Sequence, residues 1–387
     1  MCNRPKSRGF ISCLVTGSVI TLILVVSSTA RWRAMCERDC VRATGQLECE
    51  PTRPKAELFD EEGLKHFATS VDVQVIGKIL NYRYRKQANK FGNWDNRDFL
   101  ALERFGIHLS PVHFYSALPE FSQRSDAFYN EVFDMPGLKL DAVAQGEFAN
   151  SVVNGACVDE FHNFPQSEVA SRVYEWHHSL GFMDKRDSLF LYCFVRNTSP
   201  EKIIEIGGGT STSLMAAAVR ANKRDGISID LRSIEPFPVG ALSRYVDGES
   251  EFPGLNELIS QPLEKVDKKF FQTLTKGDVL FIDSSHVFRE GGDVELELMH
   301  IIPQLRSGVI IHIHDILLPR RYTKDMALNS RFYNEQYFLW AFLAFNSEFE
   351  ILWMPSWLAE NHADKFPQAF EKYATLSSPD SFWFRRV

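Results

Sequence analysis

The stretch Lys202-Ile203-Ile204-Glu205-Ile206-Gly207-Gly208-Gly209-Thr210-Ser211-Thr212-Ser213 leaves this chain few ways to fold. Ile203, Ile204 and Ile206 form a short apolar run that reads as a buried strand. Gly207, Gly208 and Gly209 then let the backbone turn tightly and approach a ligand with no Cβ in the way. Thr210 to Ser213 offer N-cap hydroxyls, and Leu214-Met215-Ala216-Ala217-Ala218-Val219 is a strong helix former, expected to run to about Arg224. Strand, glycine turn and helix N-terminus together make a nucleotide-type pocket at the carboxyl edge of a parallel sheet.

The side chains around the turn narrow the choice of nucleotide. A dinucleotide fingerprint wants a further glycine three residues after the second, where helix and strand come close, and that place holds Thr212. A carboxylate at Glu205 would repel a pyrophosphate but suits a cationic ligand carrying an ammonium and a sulfonium. Glu205-Ile206-Gly207-Gly208-Gly209-Thr210-Ser211 resembles the first motif of the class I S-adenosylmethionine (AdoMet) methyltransferases. The resemblance implies that Glu205, Gly207, Gly208, Gly209, Thr210 and Ser211 hold the amino-acid end of AdoMet. Glu235, at the end of the next strand (Leu231–Pro236), would then accept the ribose hydroxyls, with a helix cap as its plainer role.

Composition limits the alternatives. With 44% hydrophobic residues and 31 Phe in 387 residues, the chain can bury a large core. A net charge of −7, with no basic stripe interleaved with aromatics, excludes nucleic acid as an expected partner. The seven cysteines show neither a zinc spacing nor a disulfide mini-scaffold. Cys36, Cys40 and Cys49 cluster, and a bridge among them and free thiols are both open.

At the N-terminus, Arg4, Lys6 and Arg8 precede a mostly apolar segment, Phe10 to Val26, that ends in Ser27-Ser28-Thr29-Ala30. Residues 1–30 read as a signal anchor or a cleavable signal peptide. The expected setting is a membrane, by a single pass on the secretory route, or secretion if the segment is cleaved. Arg31, Arg33, Arg38 and Arg42 follow closely, so charge does not fix the orientation. Asn197-Thr198-Ser199 is a glycosylation sequon that matters only for a lumenal domain. Residues 31–57 read as a juxtamembrane linker, and 58–164 as an N-terminal helical or irregular cap or substrate region. Within it, Gly106–Tyr115 carries His108, His113 and Tyr115, which would line a cleft or pack as an irregular loop. Residues 165–387 form the last domain, opening with helices over Ser167–Leu180 and Asp187–Val195.

Two further strands carry chemistry at their ends. Asp278–Ile282 runs into Asp283-Ser284-Ser285-His286, and Gly308–Ile313 into His314-Asp315. A helix from about Asp293 to Ile302 lies between them. A third strand is expected at Leu255–Ser260, with a helix over Glu264–Thr275. Strands alternating with helices argue a doubly wound α/β fold whose site lies beyond the strand carboxyl ends. Phe332–Phe345 reads as an amphipathic helix, and Phe349–Met354 and Ser381–Arg386 as terminal strands. The resemblance, over about 165–387, implies a mostly parallel, seven-stranded, Rossmann-like methyltransferase sheet, with the last strand antiparallel.

The Phe281–His286, Gly308–Asp315 and Asn334–Tyr337 segments look like a small-molecule branch near the catechol-type and antibiotic-tailoring O-methyltransferases. Methyl transfer needs an acceptor oxygen held about 3 Å from the sulfonium methyl and a group to take its proton. In the catechol-type relatives an Asp, then an Asp-Asn pair, hold a divalent metal, and a Lys acts as base. Carried over, Asp283 takes the first place, His286 the base, and His314 and Asp315 the pair. Imidazole at 314 suits Mn²⁺ or Zn²⁺ better than Mg²⁺, so a metal at Asp283, His314 and Asp315 is one option. The other has no metal: His286, titrating near neutrality, takes the proton while Asp283 or Asp315 orients it. Asp283 also reaches the cofactor's amino group in one reading. His312, on the same side of its strand as His314, is set aside as a packed residue.

The expected function is O-methylation of a hydroxyl on a small molecule or glycan. The alternatives are a catalytically silent methyltransferase-like binding module and a nicotinamide-dependent oxidoreductase.

Overall fold

The computed structural model describes residues 41–43, 46–48, isolated positions between 103 and 121, and 123–387 except 182 and 374–378. It divides into two units, residues 1–111 and 112–387. In the first, Val41–Ala43 and Gln46–Glu48 pair as an antiparallel hairpin, and His108 Nε2 lies 3.4 Å from Glu103 Oε1. The apolar segment 10–26, Cys36, Cys40, Cys49, His113 and Tyr115 lie outside the described residues. No helix among the described residues is long and apolar enough to cross a membrane.

The second unit is built on a seven-stranded sheet. Its strands are β1 Lys202–Ile206, β2 Asp230–Ile234, β3 Glu257–Ile259, β4 Val279–Ile282, β5 Ile310–Ile313, β6 Phe349–Trp353 and β7 Phe382–Arg386. Their spatial order is β3-β2-β1-β4-β5-β7-β6. The first five run parallel, and β7 is antiparallel to both neighbours, β5 and β6. The described helices include α1 Ala142–Val152, α2 Ala156–His162, α3 Lys185–Thr198, α4 Thr210–Arg224, α5 Asp293–Leu296 and α6 Glu335–Leu343.

Strand alternation divides the apolar residues between two cores. Ile203, Val279, Phe281 and Trp383 join Phe190 and Phe194 of α3, Phe161 of α2 and Leu214 of α4 on one face. Ile204, Ile206, Leu280, Ile282, Ile311 and Phe384 join Val294, Leu298 and Leu339 on the other. Residues 112–164, expected in a cap, belong to the same unit as the sheet, with Ala149, Val152 and Phe161 in its core.

A disulfide joins Cys157 on α2 to Cys193 on α3, 36 residues apart. Both sulfurs are buried, and nothing in the cysteine spacing pointed to the pair. Nearby, the sequon nitrogen, Asn197 Nδ2, donates to the carbonyls of Val152 at 2.7 Å and Asn154 at 3.2 Å.

Three expected helices take other forms. Ser167–Leu180 is a chain of turns, because Trp176 is drawn into an aromatic cluster 5.0 Å from Phe161 and 5.3 Å from Phe164. Glu264–Thr275 breaks into two 3₁₀ segments where the Asp267 side chain caps the second. Asp293–Ile302 starts as α5 and widens into a π-turn at Glu297–Ile301, a form common near functional sites.

Candidate active site

The glycine turn is packed against the strand that carries Asp283. Gly207 has φ +86°, and a Cβ built on it would lie 1.8 Å from the Asp283 carbonyl oxygen. Its N–H donates to the Ile234 carbonyl at 2.9 Å. The N–H of Gly208 donates to Glu235 Oε2 at 3.1 Å, and that of Phe237 to Glu235 Oε1 at 2.6 Å. Gly207, Glu235, Phe237, Leu263 and Asp283 line a cavity of about 420 Å³. On the other side of the turn, Gly209 and Thr210 line one of about 250 Å³ with His177 and Arg244.

Glu205 lines neither cavity. It is fully buried, and its two oxygens accept from Ser211 Oγ at 2.6 Å and Thr212 Oγ1 at 2.5 Å. Thr212 Oγ1 also accepts from the Gly209 N–H at 2.9 Å. The expectation that Glu205 meets a cationic ligand is therefore corrected, as is the contact expected of the buried Ser211. Both tie the first turn of α4 to β1, and Thr212 supplies a bond that glycine could not. Burial pushes the Glu205 carboxyl up to about 7, against the opposing pull of the Ser211 and Thr212 hydroxyls.

Beyond β4, His286 sits at φ +59°, a conformation that a side chain tolerates only when its surroundings impose it. The surroundings here are the start of α6. The N–H groups of Asn334 and Glu335 donate to the His286 carbonyl at 3.0 and 3.2 Å, and Phe288 N–H donates to Asn334 Oδ1 at 2.6 Å. The His286 ring is 5% exposed and flanked by carboxylates. Nδ1 is 3.0 Å from Glu335 Oε2. Nε2 is 3.2 Å from Asp283 Oδ1 and 3.4 Å from Asp315 Oδ2. Burial alone would lower its pKa, but Asp283 and Glu335 outweigh burial and raise it well above the usual value. The ordinary titration near neutrality expected of His286 does not survive this arrangement. Burial raises Glu335 itself. It also raises Glu297 well above the carboxylate range, with Glu335 adding to the effect, although Glu297 accepts from Ser284 Oγ at 3.1 Å.

His314 and Asp315 end β5, and Asp315 has φ +56°. The expected metal set of Asp283, His314 and Asp315 does not form one group among the described residues. Asp283, His286 and Asp315 form one cluster of donor atoms within 4.8 Å, and His314, Asp315 and Asp380 form another. His314 Nε2 lies 3.6 Å from Asp380 Oδ1, and neither ring nitrogen of His314 has a hydrogen bond. Burial lowers the His314 pKa, but Asp380, Asp283 and Asp315 together bring it up to about 9. His312 packs in the core, its ring 4.1 Å from Phe281 and 4.6 Å from Trp383.

Sequence reasoning missed the roles of Glu335 and Asp380. Glu335 lies in the quoted Asn334–Tyr337 segment, where a carboxylate at a helix start reads as a cap. Asp380 precedes β7 with no motif around it.

A glycine turn on β1, an acid after β2 and polar groups after β4 and β5 thus share one sheet edge. Residues 204–316 match the family model of a methyltransferase domain. An uncharacterised protein of Archaeoglobus fulgidus is 30% identical over 167 residues, 42% of this chain and 72% of that protein. The chain belongs to this family, one of the class I AdoMet-dependent methyltransferases. Among solved structures, it is similar to the O-methyltransferase TomG of Streptomyces achromogenes, in complex with SAM, at 13% identity and a TM-score of 0.30, over 65% of this chain and 91% of that one. It is also similar to a structure assigned as a protein-L-isoaspartate O-methyltransferase of Plasmodium falciparum, in complex with S-adenosyl-L-homocysteine. That match has 10% identity and a TM-score of 0.26, over 46% and 84% of the two chains.

Proposed function

We propose that this methyltransferase transfers the AdoMet methyl group to a hydroxyl of a small molecule or glycan, with His286 taking the hydroxyl proton. The observation that carries the reading is the contact between Gly207 and Asp283. Asp283 both lines the glycine-turn cavity and stands 3.2 Å from His286 Nε2, so the cavity and the His286 cluster adjoin through this residue. When bound, AdoMet supplies a methyl on a sulfonium, a group that needs no further activation. Glu235, which lines the 420 Å³ cavity, would accept the ribose hydroxyls.

Glu335 holds Nδ1 of His286 and so fixes which nitrogen faces the acceptor. His286 acts from its deprotonated form, a minor species at neutral pH given its raised pKa. It then receives the hydroxyl proton on Nε2 while the oxygen–methyl bond forms and the sulfur–methyl bond breaks. Asp283 and Asp315 face the imidazolium that results, and against the effect of burial Asp283 and Glu335 hold its pKa up. No step is routed through a metal, because the set carried over by resemblance is not assembled.

The same proposal sets the domain in an oxidising compartment, in keeping with the expected N-terminal targeting segment. The buried Cys157–Cys193 disulfide supports it, since such bonds are rare where thiols are kept reduced.

The test is calorimetric titration of the folded protein with AdoMet and with NAD, followed by transfer of labelled methyl to hydroxyl acceptors. Micromolar AdoMet binding, about 8 kcal/mol, and transfer abolished by His286→Ala are expected. No AdoMet binding by folded protein would leave the silent binding module as the better reading. Unchanged turnover in His286→Ala would remove that residue from the mechanism.

A further inference from the structure

We propose that His314, Asp315 and Asp380 bind one divalent cation of the kind that accepts nitrogen and oxygen ligands together, such as Zn²⁺, Co²⁺ or Mn²⁺. The site does not depend on the methyl-transfer reading. Its donor atoms lie within 4.8 Å of one another. His314 is 3% exposed, and both its ring nitrogens and Asp380 Oδ1 lack any hydrogen-bond partner. Buried polar atoms left in this way are costly unless something satisfies them.

The 3.6 Å from His314 Nε2 to Asp380 Oδ1 is too long for a hydrogen bond. It is close to the roughly 3.4 Å that separates two ligand atoms around a tetrahedral zinc with bonds of about 2.1 Å. The neighbouring cluster differs on this point, because His286 Nε2 is already satisfied by Asp283 at 3.2 Å. A cation at His314 would take the place of the ring proton and bring two carboxylates and an imidazole around one centre.

The donors are also held in place. Asp380 N–H donates to Asp187 Oδ2 at 2.8 Å, and the Asp380 carbonyl accepts from Ile316 N–H at 2.8 Å. Asp187 is buried and accepts from Ser381 Oγ as well. His314 N–H is fixed to the Ile282 carbonyl at 2.9 Å. Such outer contacts orient the ligands of a metal site. Three protein ligands leave a coordination position open, as in catalytic rather than structural sites. Asp380 also lines a cavity of about 620 Å³ with Arg320, Lys324, Ser356 and Glu360, from which a water or an oxygen ligand would reach that position.

The experiment uses the full chain, stripped with a chelator and titrated with Co²⁺, followed by its visible absorption and by equilibrium dialysis. One equivalent is expected to bind with the absorption of a nitrogen- and oxygen-ligated Co²⁺. His314→Gln and Asp380→Asn should each weaken it at least tenfold, and Asp283→Asn less than twofold. Should His314→Gln fail to fold, Asp380→Asn at a partly exposed carboxylate carries the test. Absence of binding by the wild type overturns the proposal. So does Asp380→Asn affinity equal to wild type, or a larger loss in Asp283→Asn than in Asp380→Asn.

Discussion

Oε2 of Glu335 stands 3.0 Å from Nδ1 of His286, a residue 49 positions earlier in the chain. The carboxylate fixes the ring on the side away from Asp283 and Asp315, leaving Nε2 as the nitrogen that faces them. Removing it frees the ring without touching the glycine turn. Glu335→Ala is expected to lower kcat by about 100-fold with AdoMet affinity unchanged, and Glu335→Gln to retain more activity. Steady-state methyl transfer and calorimetry on the same preparations check both statements.

Gly207 offers a second handle. A methyl at this position meets the Asp283 carbonyl carbon at 2.6 Å as well as its oxygen, and φ is +86°. Neither the backbone of β4 nor that of the turn has room to give. Gly207→Ala should therefore distort the cofactor wall and weaken AdoMet binding at least tenfold, with a lowered Tm. Gly209→Ala, where nothing lies within 4 Å of the added carbon, should bind nearly as wild type. Equal affinities for the two variants would contradict the assigned wall.

Glu205 sets a pH dependence of stability. Its carboxyl is raised to about 7 from 4.5 by burial. Between those values the fold keeps a proton that the unfolded chain releases, so stability from this group is full below about pH 4.5 and falls as pH rises towards 7. The loss is roughly 3 kcal/mol by linkage. Glu205→Gln should remove that slope, so its Tm advantage over wild type should be greater at pH 8 than at pH 5. Thermal unfolding across this range measures it.

The Cys157–Cys193 bond closes a loop of 36 residues. Loop-closure entropy for that length gives about 4 kcal/mol of stabilisation. The double variant Cys157→Ser, Cys193→Ser should lose a comparable amount in denaturant unfolding. Reduction of the wild type by dithiothreitol under denaturing conditions, followed by refolding with the thiols blocked, should give the same loss.

Local signals carried the centre of the fold. The isoleucines of β1, the glycines and the helix-forming run of α4 agree with one another over a few residues, and the structure follows them from Lys202 to Arg224. The strands leading to Asp283 and His314 were legible for the same reason. Ser167–Leu180 was not, because the spacing of Val169, Val173 and Trp176 fits a helix face equally well as a set of turns. The choice was made by Phe161 and Phe164, which pack on Trp176. The site divides in the same way. Asp283, His286 and Asp315 announce themselves as polar ends of apolar strands. Glu205 also looked like a ligand-facing group, and only the hydroxyls of Ser211 and Thr212 turn it inward. The partners that decide what the histidines do, Glu335 and Asp380, arrive from α6 and the approach to β7, and no spacing rule links them.

The position of β7 has a consequence for how the molecule is made. It is the last strand in chain order, yet it lies between β5 and β6 and is the strand to which β6 pairs. On the ribosome, β5 must wait with an open, apolar edge while about seventy residues are added, at 5–20 residues per second, and β6 has no sheet to join until β7 emerges. Such an edge is a place where another strand can pair by mistake. The molecule should therefore depend on chaperones late in its synthesis, and variants that weaken Phe382 or Phe384 should be lost to aggregation during translation in larger measure than their effect on the finished fold would suggest.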